Sequence, residues 1–344
     1  MPTIHDVAEK AKVSTTTVSH VINGTRYVSE ELKQRVQAVM SELNFQPNGL
    51  ARSLRMGRSK TIGLILPDNS NPFFADISRN VEDYGFKNGY SVILCNTDED
   101  PNKEASYINV LINKQVDGII FIASSNSTNN LTPLINAKIP FVVVDRELPD
   151  LNVDTVLNDH WLGGKLAASY LLQLGHRRFA CISGATTVLS SQQRVDGFRQ
   201  VLNEAGMELT PEYLLAGDFH FASGLSCMDR ILDTASHAPQ IQRPTALFVC
   251  NDMMALGAIH SARGYGLHVP EDISIIGFDN ISIGEMIYPT LTTIAQPSLE
   301  LAETASNLLL DKIKKKGGET LLPQQIYLKP HLVERESCLQ WKGD

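Results

Sequence analysis

The sequence predicts an N-terminal all-α helix-turn-helix head followed by an α/β body of two doubly wound parallel-sheet lobes. Three observations carry this. Apolar residues recur at helical spacing through the first forty-odd positions, broken by turn signals. From residue 61 short β-rich runs alternate with helical stretches, the pattern of a parallel sheet covered by helices on both faces. That alternation then runs a second time, as expected of a 344-residue chain, which is too long for one ordinary core.

In the head, Ile4, Val7, Ala8 and Ala11 form the first stripe, and Lys12-Val13 breaks it. Ser14 is a good N-cap for a second helix, whose buried face is Val18, Val21 and Ile22 and whose end is marked by Asn23-Gly24. Ser29 caps a third, with Glu30 and Glu31 in its first turn and a stripe of Leu32, Val36, Val39, Met40 and Leu43. Two short helices joined by a tight turn, with a third to bury them, make a helix-turn-helix unit. In the body, strands are expected at 61–66, 92–95, 117–122 and 141–144, with helices at 73–88, 102–114 and 131–137. The second round gives strands at 179–183, 246–250 and 273–278 and helices at 162–173, 192–205, 222–233 and 253–263. In such folds ligands bind beyond the carboxyl ends of the strands, and two facing lobes bring those ends to one cleft.

Composition narrows the function. No apolar run approaches the roughly 18 residues of a membrane span, so no membrane partner is expected. Asp6 and Glu9 near the N-terminus, with no apolar stretch after a basic start, argue against a secretory signal and for a cytoplasmic protein. Cysteines 95, 181, 227, 250 and 338 are an odd number without short spacings, which suggests neither a disulfide framework nor a metal site. A net charge of −8 argues against nucleic acid until it is divided. Residues 1–60 hold nine Lys and Arg against five acids, a net +4, which leaves −12 for the remainder. A small basic head on a large acidic body points to a nucleic-acid-binding module.

On the second helix, Thr15, Thr16, Thr17, Ser19 and His20 are left over from the buried stripe, as short hydrogen-bonding groups near the end that meets base edges and phosphates. A solvated helix face is the competing reading of that helix alone. The wider segment decides between them. Ile4-His5-Asp6-Val7-Ala8 with Val13-Ser14-Thr15-Thr16-Thr17-Val18-Ser19-His20-Val21-Ile22-Asn23 closely resembles the head of the lactose-repressor/galactose-repressor family of bacterial transcription regulators, and most of all its purine and ribose repressors. The likeness continues through Gln46-Pro47-Asn48-Gly49-Leu50-Ala51-Arg52-Ser53-Leu54 to Glu336. It implies that Thr15, Thr16 and His20 read bases, that Thr17 and Ser19 lie nearer the phosphates, and that Asn23, Asn48, Ala51 and Leu54 also belong to the DNA-binding set. It further implies a hinge helix over 48–56 that folds when two copies pair over the minor groove, with Leu54 as the apolar wedge. Leu54 also reads as a linker residue packed on the body, and Gly49 departs from the small aliphatic residue often found there.

Asn71-Pro72-Phe73-Phe74 follows the first strand of the body and Asp145-Arg146 ends another. Arg194, Asp218-Phe219-His220-Phe221, Asn251-Asp252, Gly277-Phe278-Asp279 and Thr293-Ile294-Ala295-Gln296 fall at similar places. Rings with carboxylate, guanidinium and amide groups suit a small sugar, because rings cover its C–H faces and the polar groups pair with its hydroxyls. Each also has a structural reading: Asp279 as a cap, Phe74 as core, Asp145 with Arg146 as an ion pair. The set is similar to that of periplasmic ribose-binding proteins, whose sugar contacts match Asn71, Phe73, Phe74, Asp145, Arg146, Arg194, Phe219, Asn251, Asp279 and Gln296. Phe221 competes with Phe219 for its place. The resemblance implies D-ribose as effector, with another pentose, a hexose or a purine as alternatives.

The implied protein is a repressor that needs no cofactor and no metal, a homodimer on near-palindromic double-stranded operator DNA, its affinity set by lobe closure. The tail after Leu332 lacks leucine heptads, which favours a dimer over a tetramer. The expected divisions are 1–46 for the head, 47–60 for hinge helix and linker, and 61–340 for the effector-binding body. Within that body, lobe 1 takes about 61–160 and 293–323, and lobe 2 about 161–292 and 324–340. An enzyme is the competing class: Asp145 and Asp279 resemble an acid and base for a sugar hydrolase. Against it, Gly163-Gly164-Lys165 lacks the rest of a phosphate loop, and neither a G-x-S-x-G nor an H-E-x-x-H pattern occurs, so no catalytic residue is assigned.

Overall fold

The computed structural model describes residues 2–24, 26–46, 58–123, 128–148, 151–237, 242–314 and 322–343. They belong to two compact units, Met1–Lys60 and Thr61–Asp344. The expected hinge helix, with Asn48, Ala51 and Leu54, lies outside the described residues.

The head contains α1 (Ile4–Ala11), α2 (Thr15–Asn23) and α3 (Glu30–Glu42). Thr3 and Asp6 form a reciprocal capping box at the start of α1, and Lys12 ends it in the left-handed region, φ 53°. Ser14 caps α2 by accepting from Thr17 N at 3.0 Å, and Gly24 closes it at φ 61°. Ser29 stands at the N-cap of α3 but makes no capping bond. Val7, Ala8, Ala11, Val18 and Val36 are the small core on which the three helices close.

The body alternates as the sequence predicts, with additions. Lobe 1 begins with β1 (Thr61–Leu66), α4 (Pro72–Lys87), β2 (Ser91–Asn96), α5 (Pro101–Asn113), β3 (Gly118–Phe121), α6 (Thr132–Ala137), β4 (Phe141–Val144) and β5 (Thr155–Asn158). Lobe 2 runs through α7 (His160–Gln173), β6 (Phe179–Ser183), α8 (Leu189–Glu204), β7 (Leu214–Ala216), α9 (Phe221–His237), β8 (Ala246–Val249), α10 (Asp252–Gly264), β9 (Ser274–Asp279) and β10 (Thr292–Ala295). The chain then returns to lobe 1 with α11 (Ser298–Lys314) and β11 (Gln325–Leu328), and ends in lobe 2 with β12 (His331–Val333).

The two six-stranded sheets have the orders β11-β5-β4-β3-β1-β2 and β12-β10-β9-β8-β6-β7. All their pairings are parallel except β10 with β12. In lobe 1, α4 and α11 bury Ile77, Val81, Leu309 and Ile313 on one face of the sheet, while α5 and α6 bury Ile108, Leu111 and Leu134 on the other. One larger core, containing Phe198, Phe248 and Phe278, fills lobe 2.

This topology corrects the expected division of the last fifty residues. Residues 293–295 are expected in lobe 1 with 293–323, yet they belong to β10, which pairs with β9 of lobe 2, Thr293 against Gly277. Gln325–Leu328 was assigned to lobe 2, yet it pairs with β5 of lobe 1, Tyr327 against Leu157. A four-residue strand buried throughout needs hydrogen-bonding neighbours, and β10 finds them between β9 and β12. The backbone therefore passes between lobes three times, after Asn158, Ala295 and Leu328.

One contact in lobe 2 sets the backbone geometry of the cleft. A Cβ on Gly164 of α7 would stand 1.9 Å from the Arg194 carbonyl oxygen, and one on Gly197 of α8 2.0 Å from that of Trp161. Only this reciprocal glycine pair lets the two helix backbones touch, and it fixes the distance between His160 at the head of α7 and Arg194 on α8.

Candidate functional site

On the head, Thr16 is exposed while Thr15, Thr17 and His20 are partly so. The Thr17 hydroxyl lies 2.9 Å from that of Ser14 and so belongs to the helix start. Ser19 is 5% exposed, on the buried side of α2 beside Val18. The Asn23 amide donates to the Ser19 carbonyl at 2.8 Å and to its hydroxyl at 3.2 Å, so these two side chains close the end of α2 on itself.

In the body, the ends of both sheets meet at a pocket lined by Asn71, Phe73, Phe74, Asp145, Arg146, Arg194, Phe219, Asn251 and Asp279. Nine of the ten body residues singled out from sequence are thus brought together, and the tenth, Gln296, donates to Asp279 Oδ1 at 2.6 Å. Asn71 caps α4, accepting from Phe73 N at 3.1 Å, and Pro72 fixes the first turn, so the Phe73 and Phe74 rings stand at the pocket 5.3 Å apart. Asp145, Phe219 and Asp279 all take positive φ, at 65°, 71° and 119°, conformations that cost side-chain-bearing residues about 1–3 kcal/mol each and that cluster at binding sites. Here they turn strand ends and the β7–α9 connection toward the cleft.

Phe219, not Phe221, reaches the pocket. Its ring lies over Gly184, where a Cβ would come within 2.0 Å of it, whereas Phe221 is 38% exposed and stands edge-on to His260. Asn251 caps α10 through Met254 N at 2.9 Å and donates its amide to the Phe219 carbonyl at 2.8 Å.

The charges are compensated locally. Arg146 donates to the Ala123 carbonyl at 2.7 Å and lies 3.7 Å from Glu99. Arg194 lies 3.7 Å from Asp279, donates to the Cys250 carbonyl through Nη1, and covers the Phe278 ring at 3.8 Å from its centroid. Burial pushes the Asp279 carboxyl well above the ordinary carboxylate range, against the pull of Arg194. Burial likewise raises Asp252 to about 7, where its oxygens hold Thr293 Oγ1 at 2.7 Å and Ile281 N at 2.9 Å. The carbonyl oxygens of Asn158 and Gln296 are buried without a partner, acceptors of the kind a ligand's O–H or N–H groups satisfy.

Asp68, Glu99 and Ser190 also line the pocket, and sequence reasoning did not single them out. It missed His160 as well, the first residue of α7, which stands behind Arg194. Its signal, a helix start preceded by a strand, depended on recognising β5.

Comparison with known proteins places this architecture. Residues 3–48 match the model of bacterial regulatory proteins of the lacI family, and residues 168–338 match a periplasmic binding protein-like domain. The HTH-type transcriptional repressor PurR of Aliivibrio fischeri is 41% identical over 340 residues, 98% of this chain and 99% of that one. The chain belongs to the lacI family of bacterial regulatory proteins. A lac repressor dimer bound to operator and an anti-inducer superposes with a TM-score of 0.86 at 27% identity, covering 98% of this chain and 99% of that one. A LacI-family regulator from Enterococcus faecium with bound ribose gives 0.71 at 34% identity, covering 82% and 100%. This lacI-family chain is a DNA-binding transcriptional repressor controlled by a small-molecule effector, and not an enzyme.

Proposed function

We propose that D-ribose, or a close pentose, is the effector, bound in the cleft by Asn71, Phe73, Phe74, Asp145, Arg146, Arg194, Phe219, Asn251, Asp279 and Gln296. The observation that carries this is the setting of both guanidinium groups beside carboxyl groups, Arg146 3.7 Å from Glu99 and Arg194 3.7 Å from Asp279, between aromatic rings. Such a site offers paired donors and acceptors without excess positive charge, which suits a neutral polyol better than a phosphorylated one. The unpartnered side-chain oxygen of Gln296, whose amide donates to Asp279 at 2.6 Å, adds an acceptor for a hydroxyl proton. The ribose-bound Enterococcus faecium regulator, at 34% identity, supports the same reading.

A purine is the second reading, favoured by the 41% identity to a repressor named PurR along nearly the whole chain. Titration calorimetry with ribose, other pentoses, hexoses, hypoxanthine and guanine separates the two. Ribose as the tightest ligand supports the first reading, and a purine base bound tightest overturns it.

On the head, Thr15, Thr16 and His20 are the base-reading residues of this reading, with Thr17, Asn48, Ala51 and Leu54 completing the DNA contacts. One head reads a half-site, so the working form is a homodimer on a near-palindromic operator in the cytoplasm, where the DNA is. Effector binding changes the angle between the lobes and thereby the operator affinity. Reciprocity then requires operator to shift ribose affinity by the same factor; equal affinities with and without operator overturn this coupling.

A further inference from the structure

His160 occupies a junction that the effector reading does not by itself use. It is the first residue of α7, directly after the chain first passes from lobe 1 to lobe 2, and only 3% of it is exposed. Its Nε2 lies 3.1 Å from the backbone oxygen of Asp145 in lobe 1. A carbonyl oxygen only accepts, so Nε2 carries the proton. In the neutral ring Nδ1 is then a bare acceptor, and it receives the Arg194 Nε–H at 3.3 Å. The groups facing the ring are Asp145, whose Oδ1 is 3.7 Å from Nε2, with Arg146 beyond it in lobe 1, Arg194 on α8, and the Phe278 ring at 6.2 Å on β9. Burial, aided by the charge of Arg194, pushes the imidazole down to about 4, so it stays neutral at physiological pH.

A guanidinium grips an anion two-toothed along one of two edges, Nε with Nη2 or Nη1 with Nη2. In Arg194 the first edge has its Nε–H taken by His160; on the second, Nη1 gives one N–H to the Cys250 carbonyl and faces Asp279 Oδ1 at 3.7 Å. Nη2 has no partner among the described residues, and N–H groups on one nitrogen suit a hydroxyl or ring oxygen better than the two oxygens of a carboxylate.

We infer that His160 is a specificity-determining positioning residue, which blocks the two-toothed edge of Arg194 and so restricts the cleft to neutral effectors, rejecting sugar acids. This rests on the reading of the cleft as a pentose site, and the test separates the two. D-ribose and D-ribonate are titrated into the full-length protein and its His160→Phe and His160→Asn variants. In the native protein ribose binds at least about a hundredfold more tightly than ribonate. His160→Phe keeps an aromatic ring but frees Nε, so the ribose-to-ribonate ratio falls at least about tenfold. His160→Asn, which places an oxygen near the position of Nδ1, restores most of the ratio. General damage to the fold weakens both ligands alike, and an unmoved ratio in His160→Phe overturns the inference.

A two-bond proton–nitrogen correlation spectrum of the ligand-free protein gives the independent arm, with the His160 signal identified by its loss in His160→Phe. The expected signature at pH 6 is a neutral ring protonated at Nε2. A proton on Nδ1, or a charged ring, overturns the inference. If the native protein binds no pentose, the pentose reading fails and the specificity role of His160 falls with it, whereas ribose binding with an unmoved ratio overturns the role of His160 alone.

Discussion

Asn251 donates its side-chain amide to the carbonyl oxygen of Phe219 at 2.8 Å while its own oxygen caps α10. One side chain thus starts a helix in lobe 2 and holds the left-handed backbone that presents the Phe219 ring. The two duties are separable, because Asp caps as well as Asn but has no N–H to give. Asn251→Asp is expected to leave the melting temperature within a few degrees of native while weakening effector binding about tenfold, as Phe219 relaxes from φ 71°. Asn251→Ala loses the cap too, at a cost of about 1 kcal/mol. Calorimetry with thermal melting measures both, and undiminished binding by Asn251→Asp rules out the tether.

The contact between α7 and α8 is expected to be intolerant of a single methyl group. Gly164→Ala forces a Cβ against the Arg194 carbonyl, which backbone cannot evade without separating the helices. A loss of about 2–3 kcal/mol is expected, in the range of overpacked cores, with weaker effector binding because Arg194 moves away from Asp279. Denaturant titration checks the first part and calorimetry the second. A native-like midpoint refutes the close approach.

Head and cleft are expected to fail independently. Thr16→Ala, on the exposed side of α2, is expected to weaken operator binding about five- to twentyfold and leave effector affinity unchanged. Asp279→Ala is expected to abolish measurable effector binding while the effector-free protein still binds operator. Fluorescence anisotropy on labelled operator and calorimetry read the two activities, and equal loss of both in either folded variant contradicts the assignment.

The buried His176 supplies a pH-dependent prediction outside the cleft. Its Nδ1 lies 3.0 Å from Thr245 Oγ1 and its Nε2 3.0 Å from Ser274 Oγ, and burial pushes it down to about 4. Between about pH 6.5 and 4 the unfolded chain takes up a proton that the folded one refuses, so stability falls as pH falls through that window. His176→Gln cannot titrate. The stability advantage of native protein over His176→Gln is therefore expected to shrink by on the order of 2 kcal/mol from pH 7.5 to 4.5. Asp252 and Asp279, shifted upward, act oppositely but are present in both proteins and drop out of the comparison. A pH-independent difference removes His176 as the cause.

Much of this was legible in the chain because the signals were local. Ser14 and Gly24 bracket α2 as capping chemistry requires, and Asn71-Pro72 announces the start of α4 at the mouth of the cleft. The choice between Phe219 and Phe221 was not local: it turns on the space left by Gly184, thirty-five residues earlier in the chain. The short strand Thr155–Asn158 is not legible in the sequence, since it has only two apolar residues and one of its two neighbours, β11, lies about 170 residues further along the chain. With it went His160, whose meaning depends on which strand precedes its helix. The exchange of β10 and β11 between lobes was hidden for the same reason, because strand pairing is decided by which edges stand open in the assembled sheets. The burial of Ser19 was not legible either: a polar residue beside Val18, it is turned inward and bound by Asn23.

The three passages between the lobes bear on how such a protein can be rebuilt by recombination. Neither lobe is a continuous stretch of sequence, so no single genetic junction can exchange one lobe for that of a relative. The two must be inherited together, and effector preference changes residue by residue within them. Residues 1–60, by contrast, form one uninterrupted block joined to the body at one point. Operator preference can be transplanted in a single event, whereas a new effector has to be reached by accumulated substitution.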